Sequence, residues 1–374
     1  MNKPVYTFFL PQFHECDFNN EWWGKGFTEW NNVKNSIKLF NDHDQPKVPL
    51  NGYFDLNNVN ELNEQANLAK SNGVNGFIFY HYWSKGKRPL GKVLETFLAN
   101  KSININFALS WANHSWTKTW SNHRGSLNTL FKQEYDNDNS NHFDFIAKCM
   151  IDERYIAIDG KKLFIIYDYN DIPNIQEFIF NLRNYFTKQY KIDIHLVATV
   201  TGWNKNIEKL TLFDAIIISQ PANAFHSPLN IFQNKTKEVS LKTRLKSMPH
   251  FIKWFFYLLQ DFQISKPRIF NYKYVVNKVL NQVSFTKFPL SISLKIYHSC
   301  FIDWDNTPRY KKRATIIKNF DLNIFEEQFK KIYLTQDIIF IYAWNEWGEG
   351  MYLQEDTLHQ NKRLEIIKKI VTQH

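Results

Sequence analysis

Apolar side chains along the chain fall into short runs, and more polar stretches of helical pattern separate them. Short, nearly continuous apolar runs are typical of parallel strands that are buried on both faces. Eight runs predict such strands: Val5–Leu10, Gly76–Tyr80, Asn106–Ser110, Leu163–Tyr167, His195–Val200, Ala215–Ser219, Leu294–His298 and Ile338–Tyr342.

Between these runs, apolar residues recur at the three- and four-residue spacing of amphipathic helices. The spacing predicts helices over Asn57–Asn72, Asn141–Asp152, Asn174–Tyr190, Tyr274–Gln282, Pro308–Lys331 and His359–Val371. Strands that alternate with helices indicate an α/β protein. Eight of them predict a (β/α)8 TIM barrel, and a doubly wound open sheet is the alternative.

Two long segments interrupt the alternation, at about residues 11–56 and 220–268. Each follows a predicted strand, so both would lie on the C-terminal face of a barrel, where the βα-loops build active sites. No internal repeat and no Pro/Gly/Ser-rich linker divides the chain. We therefore expect residues 1–374 to form a single catalytic barrel domain with two insertions.

The composition supports a folded protein and narrows its partners. Of the 374 residues, 44% are hydrophobic and 17% are aromatic, which is enough apolar side chain for a sizeable core. The net charge of +10 favours acidic neighbours. The lysines are scattered, however, and no nucleic-acid-binding motif is present, so we expect no nucleic acid partner.

The cysteines and the apolar segments indicate in which compartment of the cell the protein is expected. Cys16, Cys149 and Cys300 share no metal-ligand spacing, and a reducing compartment fits an odd number of cysteines. The first residues lack the features of a signal peptide, and no run has the length of a membrane span, so we expect a cytoplasmic protein. In Lys242–Lys266 aromatic residues alternate with lysines, which suggests peripheral contact with an anionic inner-membrane surface. A helix packed on the barrel is the alternative.

Residues at and just after the predicted strand ends are rich in aromatic rings and hydrogen-bonding groups. Those suited to a sugar are Gln12, His14, Tyr80, Tyr82, Trp83, Trp111, Asn113, Trp116, Asp305, Trp344 and Asn345. The first insertion adds Trp22, Trp23, Glu29 and Trp30. Sugar hydroxyls need polar partners, and the C–H faces of a sugar ring need flat apolar surfaces. The set predicts a glycan-binding site, with aromatic caps on the barrel as the alternative.

Two glutamates directly after the last predicted strand are candidates for catalysis. Glu346 and Glu349 stand three residues apart, between tryptophans and glycines. Enzymes that hydrolyse glycosidic bonds use one carboxylic acid to protonate the leaving oxygen and a second carboxylate as base or nucleophile. Aromatic neighbours would desolvate one carboxyl and raise its pKa, as a general acid requires. A pair of exposed loop glutamates is the alternative.

The segment 345–350, Asn-Glu-Trp-Gly-Glu-Gly, resembles glycoside hydrolase family 99-like proteins, and most of all the WbsX group found with lipopolysaccharide and capsule genes. The similarity continues at 10–14 (Leu-Pro-Gln-Phe-His), 21–30 (Glu-Trp-Trp-Gly-Lys-Gly-Phe-Thr-Glu-Trp), 111–113, 159–161 and 304–309. It implies a (β/α)8 barrel that acts on glycosidic bonds without a metal. It also implies that Glu346 is the base toward the sugar 2-hydroxyl and Glu349 the acid/base at the leaving oxygen. Family 99 hydrolases act on mannosides inside glycans, whereas the WbsX group is often labelled glycosyltransferase.

Three functions remain open at this point. The first is an enzyme that cleaves or remodels a glycosidic bond in a bacterial surface polysaccharide, such as O-antigen or capsule. The second is a nucleotide-sugar-dependent glycosyltransferase, because Asp303-Trp304-Asp305 resembles the Asp-x-Asp that holds a metal and a diphosphate, although no Gly-rich phosphate loop is present. The third is a non-catalytic glycan-binding module.

We expect no cofactor and no metal site. Four histidines stand near strand ends, but they come from separate loops without metal-ligand spacing: His14, His81, His114 and His298. Hydrogen bonding to sugar hydroxyls is the role that we expect of them.

Overall fold

The computed structural model describes residues 3–117, 129–136, 139–202, 206–226, 266–285 and 294–374. Eight parallel strands form its centre, and they are numbered here in chain order. They are β1 (Val5–Phe9), β2 (Gly76–His81), β3 (Asn106–Trp111), β4 (Lys161–Ile166), β5 (Ile194–Val200), β6 (Ala215–Ile218), β7 (Lys295–Phe301) and β8 (Ile339–Tyr342). All eight predicted strands are present, with ends shifted by a few residues.

The sheet closes on itself. β1 lies between β2 and β8, and Thr7 is in register with Phe77 on one side and Ile341 on the other. The remaining strands follow in chain order, and β3 pairs with β4 through Leu109 and Phe164. The prediction of a (β/α)8 TIM barrel is confirmed. The open-sheet alternative is wrong, because a doubly wound sheet would leave two edge strands without a second neighbour.

The apolar runs form barrel strands because both faces of each strand are buried. Every residue of β5 and of β6 is buried. Their side chains alternate between the barrel interior and the helical layer outside it. A single hydrophobic cluster includes residues from Val5 to Val371.

Helices and short strands surround the barrel. The helices are Asp17–Trp23, Glu29–Lys34, Val59–Ser71, Lys92–Ala99, Ser140–Met150, Ile175–Tyr185, Ile207–Leu210, Ala222–His226, Tyr272–Phe285, Thr307–Tyr310, Leu322–Thr335 and Lys362–Gln373. A π-helical turn, Phe186–Tyr190, extends one of them, and 3-10 turns span Lys311–Arg313 and Trp347–Glu349. The short strands are Trp116–Thr117, Thr129–Phe131, Ala157–Ile158, Arg268–Asn271, Thr315–Lys318, Asn345–Glu346 and Met351–Tyr352.

The predicted helix Pro308–Lys331 is wrong as one element. A short helix ends before Lys311, whose φ of 50° is left-handed, and Thr315–Lys318 then forms a strand beside Arg268–Asn271. The second helix begins only after Asp321, whose side chain accepts hydrogen bonds from the backbone N–H groups of Asn323 and Ile324. Helical spacing on both sides of a short strand therefore imitated one continuous helix.

The first insertion folds onto the C-terminal ends of the strands and is fixed there by Trp30. The Trp30 ring packs 4.3 Å from the ring of Phe13 and 5.5 Å from that of Trp347, and its Nε1–H donates to the carbonyl of Phe54 at 2.8 Å. An indole whose polar atom is satisfied can be buried, and Trp30 is only 4% exposed. Trp30 therefore holds the helix Glu29–Lys34, and with it the side chain of Glu29, against the end of the barrel.

Most of the second insertion lies outside the described residues, since residues 227–265 are not among them. The membrane contact expected of Lys242–Lys266 thus remains a prediction. Among the helices that are described, none combines the length and the apolar character needed to cross a bilayer.

Candidate active site

A cleft of about 590 Å³ opens at the C-terminal ends of the barrel strands. Its lining comes from residues at or just after the ends of β1, β2, β3, β4, β6 and β8, from the first insertion, and from the segment after β7. This is the face on which barrel enzymes place their chemistry, because the loops there converge on the ends of several strands.

Three carboxyl groups share one guanidinium on the floor of this cleft. Arg309 Nε donates to Glu29 Oε1 at 2.8 Å, and Arg309 Nη1 donates to Glu349 Oε1 at 2.6 Å. The Nη2 atom of Arg309 lies 3.6 Å from Glu346 Oε2. Glu29, Glu346 and Arg309 are buried, and 21% of the Glu349 side chain is exposed. Ionisation of all three carboxyls would therefore leave negative charge that Arg309 does not neutralise.

The negative charge that Arg309 does not neutralise affects mainly the pKa of Glu346. Burial, with the charges of Glu349 and Glu29, raises the pKa of Glu346 to about 8 against the attraction of Arg309. Its Oε2 atom is buried and has no hydrogen-bond partner among the residues that the structure describes. Burial also raises the pKa of Glu349, although its short ion pair with Arg309 opposes this. At neutral pH Glu346 is thus the carboxyl better placed to hold a proton.

Gly348 allows the cluster to be this compact. A Cβ at this position would overlap Glu29 Oε1 and would come within 2.9 Å of Arg309 Nε. Gly350 is equally constrained, because its φ is 66° and a Cβ there would lie 2.8 Å from the backbone nitrogen of Asp305. The two glycines of the 345–350 segment therefore let neighbouring loops approach the backbone that carries the glutamates.

Asp305 fixes the loop that presents Arg309. Its Oδ2 accepts from Gln45 Nε2 at 2.6 Å and lies 2.8 Å from His43 Nε2, and its Oδ1 accepts from the backbone N–H of Thr307 at 3.0 Å. His43 Nδ1 accepts from the backbone N–H of Leu39, so the proton of the neutral ring is on Nε2 and points at Asp305. Burial disfavours the charge of Asp305, but these hydrogen bonds hold its pKa below the usual range. Asp305 is thus an anchor of the site.

Two asparagine side chains join neighbouring strand ends. Asn345 Oδ1 accepts from the backbone N–H of Leu10 at 2.7 Å, and its Nδ2 donates to the Leu10 carbonyl at 2.9 Å. Asn113 makes the same paired contact with Asp168, at 2.8 and 2.7 Å. Each amide imitates one step of strand pairing where the strands have ended. The chain that leaves β1 is thereby tied to β8, and the chain that leaves β3 to β4.

Aromatic side chains form a wall of the cleft. The rings of Trp23 and Phe27 are stacked at 5.5 Å in the first insertion. The ring of Trp116 stands edge-to-face with Tyr82 at 4.8 Å and with Phe18 at 5.3 Å. Such rings offer flat apolar surfaces to the C–H face of a sugar, while the floor offers charged and polar groups.

The cleft brings together part of the predicted site. Its lining includes Gln12, Trp23, Glu29, Tyr80, Tyr82, Trp116, Glu346 and Glu349. The predicted residues outside the lining are His14, Trp22, Trp30, Trp83, Trp111, Asn113, Asp305, Trp344 and Asn345. These residues depart from the expectation of direct sugar contact.

Burial explains most of these departures. All of the residues outside the lining except Trp22 are buried. Trp111 packs on His142 and Phe178 of the surrounding helices, and Trp344 Nε1 donates to Gln65 of another helix at 3.1 Å. Residues near a strand end face either the barrel axis or the helical layer, and the sequence alone does not say which.

Sequence reasoning missed the residue at the centre of the cluster, Arg309. Its position lay inside the wrongly predicted helix Pro308–Lys331, where an arginine appears to be an ordinary surface residue. The only signal was its place in the 304–309 segment of the family resemblance. Other cleft-lining residues that were not predicted are Tyr167, Gln220, Arg268, Trp304, Arg313 and Tyr342.

The Asp-x-Asp segment does not face the cleft as a metal-binding pair. Asp303 is buried 3.7 Å from Lys47 Nζ, and Asp305 is held by His43, Gln45 and Thr307. Neither lines the cleft. Over the described ranges, no group of three or more His, Cys, Asp or Glu side chains is arranged to hold a metal ion.

Solved structures with a similar fold define the class. A protein described as glycoside hydrolase-like has a TM-score of 0.57 and 13% identity, over 99% of this chain and 94% of that one. The family 99 endo-α-mannosidase of Bacteroides thetaiotaomicron has a TM-score of 0.54 and 11% identity, over 99% and 96% of the two chains. The fold is therefore a glycoside hydrolase-like barrel.

The chain belongs to the glycosyltransferase WbsX family, whose model matches residues 5–367. Two relatives from strains of Xanthomonas campestris pv. campestris, each called uncharacterized protein WxcX, are 28% identical over 362 residues. The match covers 94% of this chain and 47% of each relative, so the chain spans about half the length of the curated relatives it matches. The chain is thus a WbsX-family protein with the fold of a glycoside hydrolase-like barrel.

Proposed function

We propose that the protein cleaves or remodels a glycosidic bond in a bacterial surface polysaccharide, with Glu346 and Glu349 as its catalytic carboxyls. The observation that carries this proposal is the cluster in which both glutamates and Glu29 share Arg309 within an aromatic-walled cleft. A set with more carboxyls than cations retains a proton at neutral pH. The site thereby offers a carboxylic acid and a carboxylate at the same pH, which glycosidic bond cleavage requires.

In the proposed reaction one carboxylic acid gives its proton to the glycosidic oxygen as the bond from that oxygen to the anomeric carbon breaks. The other carboxylate draws a proton from the sugar 2-hydroxyl, whose oxygen bonds to the anomeric carbon as the leaving oxygen departs. Water then opens this three-membered ring, giving one proton to the carboxylate that acted as acid and taking one back from the carboxyl that acted as base. The family resemblance assigns the acid to Glu349 and the base to Glu346. Arg309 stays protonated and holds both carboxyls in place. Because Glu29 shares the charge of Arg309, it limits how strongly Arg309 can stabilise the ionised forms of Glu346 and Glu349.

The proposed substrate contacts follow from the lining of the cleft. Trp23 and Trp116 present rings to the apolar face of a sugar, and Gln12, Tyr80 and Tyr82 offer hydrogen-bonding groups to its hydroxyls. The Tyr82 hydroxyl is itself hydrogen-bonded to the side chain of Gln12, which fixes the direction of both groups.

The test is turnover of the producing organism's own surface polysaccharide, with and without nucleotide-sugars. Glu346→Gln and Glu349→Gln should each lower the rate by about 10²–10⁴-fold, because each removes one partner of general acid–base catalysis. Glu327→Gln, which removes an exposed glutamate from a helix outside the cleft, is the matched control. Wild-type rates in both cleft variants would refute the catalytic assignment.

Activated leaving groups then separate the two roles. A nitrophenyl or fluoride group leaves without a proton, so it should rescue the acid variant, Glu349→Gln, far more than Glu346→Gln. Stronger rescue of Glu346→Gln would instead make Glu346 the acid and Glu349 the base. Those roles would agree with the raised pKa of Glu346.

The family description favours a second candidate, a glycosyltransferase that uses a nucleotide-sugar. The buried, hydrogen-bonded state of Asp303 and Asp305 gives this candidate less support. The glycosyltransferase candidate would gain support if turnover needed both a nucleotide-sugar and a divalent metal and was lost in Asp303→Asn and Asp305→Asn. Loss of folding in those variants, seen in thermal melts, would have to be excluded first.

A further inference from the structure

The cleft has a second group of aromatic side chains, here called the Trp304 platform, which consists of Trp304 and Phe225. Phe225 lies in a short helix after β6, and Trp304 follows β7. Both residues line the cleft, and their rings stand edge-to-face at 6.0 Å. Tyr82 and Trp116 of the aromatic wall follow β2 and β3, which stand across the barrel from β6 and β7 because the eight strands follow one another around it. The cleft therefore offers aromatic surfaces for a sugar ring on two opposite sides.

Trp304 is held by its backbone, but its indole leaves one polar atom without a partner. The carbonyl of Trp304 accepts from the backbone N–H of Ile317 at 2.7 Å, and its backbone N–H donates to Asp303 Oδ1 at 2.8 Å. The side chain is half-buried against the core. Its Nε1 atom is buried and has no hydrogen-bond acceptor among the residues that the structure describes.

Buried tryptophans that do not line the cleft differ in this respect. Trp344 Nε1 donates to Gln65 at 3.1 Å, and Trp347 Nε1 donates to Gln354 at 2.6 Å. Buried donors in folded proteins are nearly always satisfied, and a specific exception calls for a reason. Because Trp304 lines the cleft, an oxygen of a bound sugar would supply the acceptor that the described part of the protein lacks.

The two glutamates are joined to opposite sides of the cleft. The side chain of the residue before Glu346 is hydrogen-bonded to Leu10, at the end of β1. The carbonyl of Glu349 accepts from the backbone N–H of Asp305 at 2.7 Å, and Asp305 directly follows Trp304. Glu346 is thus fixed to the side of the first insertion, and Glu349 to the side of the Trp304 platform. A sugar that departs when Glu349 protonates the leaving oxygen would therefore rest on Trp304.

A surface that holds the departing sugar can also hold an attacking one. In the second step of the proposed reaction the attacking oxygen enters where the leaving oxygen departed. A sugar stacked at that place presents its hydroxyl at a far higher effective concentration than the same sugar in solution. Asn306 and Tyr310 line the cleft on this side as well, and they offer hydrogen-bonding groups to the other hydroxyls.

We propose that the Trp304 platform is an acceptor subsite, through which the enzyme transfers the cleaved glycan to a hydroxyl of a second saccharide instead of to water. The acceptor oxygen bonds to the anomeric carbon as the three-membered ring opens. Its proton goes to the carboxylate that acted as acid, and the carboxyl that acted as base returns its proton to the 2-oxygen. One glycosidic bond breaks and one forms, so the transfer needs no nucleotide-sugar. This inference rests on the proposed function, because the same two glutamates break the bond.

The first experiment follows a labelled acceptor. Fragments of the producing organism's surface polysaccharide, labelled at their reducing ends with 2-aminobenzamide, are incubated with the protein and the unlabelled polysaccharide, without nucleotide-sugars. Size-exclusion chromatography should show the label moving into longer chains, with a yield that saturates as the fragment concentration rises. Cleavage of the polysaccharide with the label left in its original fragments would overturn this inference and leave the proposed function intact. Absence of both cleavage and transfer would refute the proposed function.

The second experiment changes the platform and measures the ratio of transfer to hydrolysis at a low acceptor concentration. Trp304→Leu should lower this ratio about 3- to 10-fold, the contribution of one stacked ring. Trp304→Phe keeps a ring, removes only the N–H and should lower the ratio less. Trp23→Leu, on the opposite wall, should slow both reactions and keep the ratio, and Phe180→Leu, an exposed change outside the cleft, should alter neither. Thermal melts show that each variant is folded, and a wild-type ratio in both Trp304 variants would contradict the subsite.

The glutamate variants separate this inference from the proposed function. Glu346→Gln and Glu349→Gln should lose hydrolysis and transfer together, because both products arise from the same broken bond. Trp304→Leu should keep most of its hydrolysis. Loss of both reactions in the glutamate variants, with an unchanged ratio in Trp304→Leu, would refute only the acceptor subsite. Wild-type rates in the glutamate variants would refute the catalytic assignment, whatever the ratio in Trp304→Leu.

Discussion

Glu346 is a buried carboxyl whose neighbours favour its protonated form. Its pKa is raised from 4.5 to about 8 by burial and by the nearby charge of Glu349. Between these two values the folded protein holds a proton that the unfolded chain has released. Stability must therefore fall as the pH rises through this window, because folding there takes up a proton.

Replacement of Glu346 by glutamine should remove much of this fall in stability. At pH 5 the variant and the wild type should differ little in the pH-dependent part of their free energy of unfolding. At pH 8 the variant should gain about 4 kcal/mol relative to the wild type, since each of the three pH units between the two measurements corresponds to about 1.4 kcal/mol. Urea unfolding at the two pH values measures this, with Glu327→Gln as the exposed control. If the difference in free energy of unfolding between Glu346→Gln and the wild type did not grow with pH, Glu346 would not be a buried, protonated carboxyl.

Glu29 acts on the pair through Arg309. Its carboxylate takes the Nε–H of Arg309, and its charge also opposes ionisation of Glu346. In Glu29→Gln the guanidinium should favour the charged form of Glu346 more strongly, so the pKa of Glu346 should fall. The acid limb of the pH–rate profile, where the base Glu346 takes up its proton, should move down by roughly one unit. Glu21→Gln, an exposed change in the same insertion, should leave the profile in place. A merely structural Glu29 would lower the rate at every pH without moving the limb.

At the residue scale the sequence predicted that the two glutamates lie at the C-terminal end of the barrel, but it did not predict their environment. Glu346 and Glu349 could be predicted because a short motif carries them directly after a strand. Arg309 could not, because its partner Glu29 lies 280 positions away along the chain. Trp30, Trp344 and Asn345 look like sugar ligands by residue type, but their polar atoms are taken up inside the protein.

Among the elements, the end of β8 and the start of the first insertion behave as one unit because Asn345 joins them. Asn345→Asp keeps the shape of the side chain but turns the Nδ2 donor into an acceptor that faces the Leu10 carbonyl. We expect a loss of about 1–3 kcal/mol in the free energy of unfolding, the usual cost of an unsatisfied buried group. Activity should fall as well, since the first insertion carries Glu29. Thermal melts and turnover measure both effects.

Asn361→Asp is the matched control for this change. Asn361 is exposed and makes no side-chain capping bond at the helix Lys362–Gln373, so the same chemical substitution should cost little. Equal stability of the Asn345 variant and the wild type would show that the paired contact with Leu10 contributes nothing.

The elements were predictable where a single pattern governed them. The barrel strands were found because continuous apolar runs have few other uses in a chain of this composition. Pro308–Lys331 failed because the strand Thr315–Lys318 owes its structure to pairing with Arg268–Asn271, a partner more than forty residues away that local spacing does not reveal. The short helices of the first insertion are likewise fixed by tertiary contacts, such as those of Trp30.

For the whole molecule, closure of the barrel predicts cooperative unfolding. β1 pairs with both β2 and β8, so loss of the last strand also opens the first. Far-ultraviolet circular dichroism and tryptophan fluorescence should therefore give coincident urea transitions, as expected of one cooperative unit. Two separated transitions would show that the insertions, or a part of the chain beyond the barrel, unfold independently, and would contradict the prediction of a single domain.

Fold class could be predicted at this scale because eight alternating units leave few arrangements. The location of the cleft followed from that class, since both insertions were expected on the C-terminal face. The shape of the cleft could not be predicted, because it depends on which side chain of each strand end turns toward the axis. Trp116 turns toward the cleft and Trp111 does not, although both follow the same strand run.

The pairing of β1 with β8 also has a consequence during synthesis. Thr7 contacts the carbonyl of Ile341, a residue 334 positions later. At translation rates of about 5–20 residues per second, β1 must wait roughly half a minute for this neighbour. Throughout that time one of its edges carries unpaired N–H and C=O groups beside apolar side chains, a template for pairing with another nascent chain. The strand that closes the finished barrel therefore keeps an open edge throughout most of the synthesis of the chain.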